Sequence, residues 1–175
     1  MLLRFHAALI AVLLIIGANA PQAFSREAAD PEWDMIALEV KNHRGTVTRW
    51  QFTPLYGGVW EEVVREPDDP TAIPMRRYHA LEADASRYGA LLEIIEKLPN
   101  DAPSYENCEM LVPDSSYGTL RLTRGVTTTE IGWQARCIDS DYVSFLNILR
   151  SANELVAAWG KAVPTTREEE ERGYR

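Results

Sequence analysis

From Trp33 onward, apolar and polar residues alternate one for one. Ile36, Leu38 and Val40 interleave with Ala37, Glu39 and Lys41, and Thr48, Trp50 and Phe52 share one face of the next stretch. A period of two is that of a strand with one buried face. Asn42-His43-Arg44-Gly45 between the stretches is a turn cluster ending in glycine, so residues 33–53 predict a β-hairpin. Tyr56-Gly57-Gly58 turns the chain into a third strand over 59–65. Residues 66–74, rich in proline and aspartate, predict a loop, and 75–81 fit a short strand leading towards a helix.

The period then changes. Tyr88, Leu91, Leu92, Ile95 and Leu98 recur at helical spacing behind Asp84, a good N-cap, and predict a helix over 85–98. Residues 102–116 have no period and carry Cys108. A second hairpin follows, with strands over 117–123 and 127–137 and a turn at Arg124-Gly125. Thr129, Ile131, Trp133, Ala135 and Cys137 share a face of its second strand. Asp139 or Ser140 caps a longer helix whose apolar stripe runs from Tyr142 to Trp159, with Gly160 in the C-cap position. Beyond it, Pro164, the run Glu168 to Glu171 and several arginines offer no apolar stripe, so 161–175 reads as a disordered polar tail.

Every helix and hairpin in this order has one apolar face to bury. The expected fold is therefore α+β: one domain over 33–160, with an antiparallel sheet and two helices packed on one of its faces. The element order is ββ(β)α-ββα, two hairpin-plus-helix halves in two layers.

Residues 1–25 have a different pattern. Arg4 is followed by an apolar run to Ile16 and then by small residues, the layout of a secretory signal. The run holds about a dozen residues, whereas a spanning helix needs roughly 20. Cleavage after Ala20 would place Pro21 next to the cut, so cleavage after Ser25 is the preferred expectation. A polar linker over 26–32 then leads into the domain. The implied location is the bacterial periplasm or the exterior, with no stable membrane insertion once the signal is removed.

The charge narrows the partners. The chain carries 26 acidic against 18 basic residues, a net −8, and the signal contains only one of these charges. Nucleic acid and anionic membrane both need a basic surface, so neither is an expected partner. Export also decides how Cys108 and Cys137 read. Two cysteines in an oxidising compartment imply one disulfide, closing a loop that joins the irregular segment to the end of the second hairpin.

No motif announces catalysis. There is no G-x-S-x-G, S-x-x-K, H-E-x-x-H or glycine-rich phosphate loop. His43 and His79 are the only histidines after the signal, and a joint site would need the fold to bring them together. Glu61 and Glu62 are adjacent on a strand and point to opposite faces. No catalytic, metal or cofactor residues are assigned. The candidate binding patch is aromatic and basic: Tyr56, Trp60, Arg76, Arg77 and Tyr78. The expected role is a non-enzymatic module that binds a protein or envelope component. The alternative is a hydrolase of cell-wall or peptide substrates whose site follows no motif.

Overall fold

A computed structural model describes residues 33–69, 71–113 and 115–171. The expected signal at 1–25, the linker at 26–32 and the last four residues of the tail lie outside them. Seven strands form one sheet: β1 (Met35–Asn42), β2 (Gly45–Thr53), β3 (Gly57–Val64), β4 (Met75–Leu81), β5 (Tyr117–Arg124), β6 (Thr127–Gln134) and β7 (Arg167–Glu170). Their spatial order is β6-β5-β1-β2-β3-β4-β7, and all neighbours are antiparallel. Two α-helices, α1 (Ala85–Ile95) and α2 (Ser140–Lys161), complete an α+β fold with one disulfide. Among the described residues no helix is long and apolar enough to cross a membrane.

Register gathers the apolar positions. Leu38 lies opposite Trp50, and Trp50 opposite Trp60; Ile36 lies opposite both Phe52 and Leu122. Residues directly opposite one another share a face of the sheet, and all six of these are buried. The helices touch the same set. Trp50 donates its indole N–H to Asn153 of α2 at 3.1 Å, and Phe52 stacks on Tyr88 of α1 with ring centroids 6.1 Å apart. Asp84 caps α1 as expected, accepting the backbone N–H of Arg87 at 2.9 Å.

Three expectations need correction. Gly160 does not end α2; the helix runs on to Lys161 with Ala162 as its cap. Gly160 instead gives Trp60 room, since a Cβ there would lie 2.1 Å from the indole. Cys137 is not part of β6, which stops at Gln134. It follows a turn and pairs with Leu111 in an isolated bridge. Finally, the tail expected to be disordered contributes β7 over 167–170, paired with β4. The absence of an apolar stripe argued against order there, but an edge strand can be held by main-chain hydrogen bonds and ion pairs.

The start of the domain is pinned by Tyr88, whose hydroxyl donates to the Trp33 carbonyl. Burial, and then the Asp34 carboxylate, push this phenol up to about 12. In the unfolded chain it titrates near pH ~10. The folded state therefore keeps the proton longer. Its stabilising effect is complete below pH ~10 and is lost as the pH rises through the folded value, a difference of about 2–3 kcal/mol. Urea unfolding at pH 8 and above pH 11 tests this. Tyr88→Phe should lose less stability between the two pH values than the native chain; equal losses would refute the assignment.

Candidate binding surface

Strand parity puts a second set of residues on the other face. Glu39 of β1, Arg49 of β2, Glu61 of β3, Tyr78 of β4 and Arg167 of β7 stand directly opposite one another in a single row. Opposite charges on neighbouring strands favour this row at Arg49, which sits between Glu39 and Glu61, and Tyr78 separates Glu61 from Arg167. The contacts follow the row. Arg49 Nε lies 2.7 Å from Glu61 Oε2, and the Arg167 guanidinium covers the Tyr78 ring at 3.8 Å. Tyr78 donates its hydroxyl to Glu169, and Arg76 reaches Glu171 at 2.5 Å and Glu61 at 3.5 Å.

Glu61 is the unusual member. It belongs to the polar face, yet only 6% of it is exposed. The two guanidiniums that cover it also neutralise it, which is the condition for burying a carboxylate. Titration of the row is coupled to this packing. Burial, the Glu169 hydrogen bond and the Glu61 charge raise Tyr78, while the Tyr78 hydroxyl lowers the Glu169 carboxyl.

Two adjoining depressions open on this face. One, of about 540 Å³, is bordered by Glu39, Arg49, Gln51, Glu61 and Arg121. The other, of about 700 Å³, is bordered by Lys41, Arg44, Arg49, Arg76 and Glu171, with His43 at the β1–β2 turn. The second is rich in cations although the chain as a whole is acidic.

The patch expected from sequence does not converge. Trp60 is buried, with a ring centroid 4.9 Å from that of His79. Tyr56 is 87% exposed in the β2–β3 turn, beside the Leu81 end of β4, and far along the strand from Arg76. Arg76 and Tyr78 belong to the polar face. Arg77 has the opposite parity and pairs with Glu168 at 2.7 Å. His43 and His79 remain apart too. His79 is buried in β4 with Nδ1 3.2 Å from the Val163 carbonyl, whereas His43 lies three strands away at a hairpin tip. Glu61 and Glu62 do fall on opposite faces.

Sequence reading missed Glu39, Arg49, Glu61 and Arg121 as a group. The signal was the polar phase of each strand, but their register was hidden. Counting back from the Asn42–Gly45 pair would set Glu39 opposite Thr48. A bulge between Val40 and Lys41 shifts the pairing by one and sets it opposite Arg49.

Cys108 and Cys137 are joined as expected, with Cα atoms 5.7 Å apart. The loop they hold has further anchors. Asp139, at the N-cap of α2, turns its carboxylate away from the helix and accepts the backbone N–H groups of Glu109 at 3.0 Å and Met110 at 3.2 Å. Val112 donates to the Arg136 carbonyl at 2.7 Å. Asp139 also lies close to both sulfurs, but sulfurs committed to each other are not thiolate ligands for a metal.

No protein-family model matches the chain, no curated protein matches its sequence and no solved structure matches its fold.

Proposed function

We propose that this protein is an exported, non-enzymatic binding module of the bacterial periplasm, and that it holds a protein or envelope component on the polar face of its sheet. In this reading both helices form one layer on the apolar face, which leaves the polar face open. The observation that carries it is the ordered row Glu39–Arg49–Glu61–Tyr78–Arg167 with its two adjoining depressions. Side chains already fixed by their neighbours lose little freedom when a partner arrives, and alternating charges select among partners. The acidic balance supports a protein partner over nucleic acid or anionic lipid.

The test is site-specific photocrosslinking in intact cells. A photoreactive residue in place of Gln51, exposed on the polar face, should give a discrete adduct. The same residue in place of Glu93, exposed on α1, should not. No adduct at position 51, or the same adducts at both positions, would count against this face as the binding surface.

A further inference from the structure

We propose that the outer edge of β4 is a docking edge for an acidic, extended segment of a partner protein, and that β7 occupies this edge as a resident stand-in. The proposal rests on the binding-module reading above and names the partner's chemistry.

The edge is built to read acids on both sides of a strand. Arg77 points to one face and meets Glu168; Arg76 and Tyr78 point to the other and meet Glu171 and Glu169. A strand presents successive side chains to opposite faces. Consecutive acidic residues are therefore what this edge can bind, and Glu168 to Glu171 supply them. The main chain closes the register at both ends: Thr166 donates to the Tyr78 carbonyl at 2.8 Å, and Glu171 donates to the Pro74 carbonyl at 2.7 Å.

The resident strand is held by ion pairs and main-chain hydrogen bonds and not by the core. All four residues of β7 are exposed, and none adds an apolar side chain to the core. The Arg77–Glu168 pair is itself largely solvated, with side chains 39% and 47% exposed. Pairs of this kind contribute little. Segments with few buried contacts open locally without global unfolding. Opening frees a strand edge with two arginines, a ready template for strand addition. A partner strand also has more to gain than β7, which pairs only with Met75–Tyr78. His79, Ala80 and Leu81 extend the same edge.

β7 nevertheless has the advantage of its tether. It follows α2 after residues 162–166, and so short a connection gives it an effective concentration in the millimolar range. A partner's apparent affinity is its intrinsic affinity multiplied by the fraction of molecules in which β7 is open. Weakening β7 must then strengthen binding in trans.

The probe is a fluorescein-labelled peptide with the sequence of Thr165–Glu171, titrated into the full chain at low salt. Reversing the tail charges with E168K, E169K and E171K should tighten peptide binding about tenfold over the native chain. Adding R77A to that variant should abolish it, since alanine neither reads an acid nor re-pairs with the lysine that E168K introduces. N-methylation at the peptide positions of Glu169 and Glu171 should abolish binding and methylation at those of Glu168 and Glu170 should spare it, because within the strand only the phase of Glu171 faces β4. Equal affinity for the native and tail-reversed chains would overturn the proposal, as would equal tolerance of both methylation phases or tail-exchanged dimers in place of peptide binding. Since the crosslink at position 51 does not involve β7, its presence without peptide binding would refute the docking edge and leave the binding-module reading standing.

Discussion

A chain with serine at both Cys108 and Cys137 is expected to be less stable than the native protein by about 3–4 kcal/mol, the chain-entropy value for a disulfide spanning their separation of 29. For a domain of this size that lowers the melting temperature by on the order of 10 °C. The mechanism acts mainly on the unfolded state, which gains the freedom of the opened loop. The native loop has other anchors in the Asp139 carboxylate and the pairing of residues 110–112 with 136–138. These anchors should keep the folded structure intact in the variant, so near-identical spectra are expected below the transition. Denaturant titration with and without reductant provides the check. The native chain should lose its advantage when reduced, and the serine variant should not respond. A loss under about 1 kcal/mol, against the several expected for this loop length, would mean that the denatured chain already holds the two segments together.

The second large effect sets two glycines against each other. Alanine is favoured over glycine in a helix interior by about 1 kcal/mol. Gly89 in α1 has nothing within 4 Å of where a Cβ would sit, so Gly89→Ala should gain close to that full amount. Gly160 in α2 has the Trp60 indole at 2.1 Å. Trp60 is buried opposite Trp50 and His79. Overpacking a core costs about 1–3 kcal/mol and occasionally more. Here the clash outweighs the propensity gain, and Gly160→Ala should lose about 2–3 kcal/mol. Thermal melts of the two variants should therefore move in opposite directions from the native value. A Gly160→Ala variant as stable as Gly89→Ala would mean that α2 does not press on Trp60.

The two hairpins, the two helices and the cysteine pair were legible because each rests on local period or chemistry. What escaped depends on distant partners. Gly160 looks like a helix stop in isolation, and Trp60, a hundred positions earlier, explains it. Trp60 itself looks like a recognition residue because it stands close to Tyr56 in an aromatic-rich stretch. Its burial becomes clear once the turn over 54–56 sets it opposite Trp50. The acidic tail carries every mark of disorder until Arg76 and Arg77 are placed beside it. Of the expected patch, Arg76 and Tyr78 do belong to the polar face. Their neighbours Glu39, Arg49 and Glu61 were hidden by a one-residue bulge that no composition rule detects.

The strand order has a consequence for how the chain acquires its shape. β1 to β4 form a continuous meander, complete by Leu81. Both flanks of that meander wait for late arrivals: β1 for β5, which begins at Tyr117, and β4 for β7, which begins at Arg167. A nascent chain emerging from its N-terminal end thus carries a half-sheet whose β1 margin stays bare until β5 appears and whose β4 margin stays bare until β7 does. Bare margins of this kind are where growing polypeptides associate wrongly. The clusters Arg76-Arg77 on one margin and Glu39-Lys41 on the other put charge on these margins, which discourages premature contact between copies until the sheet is complete.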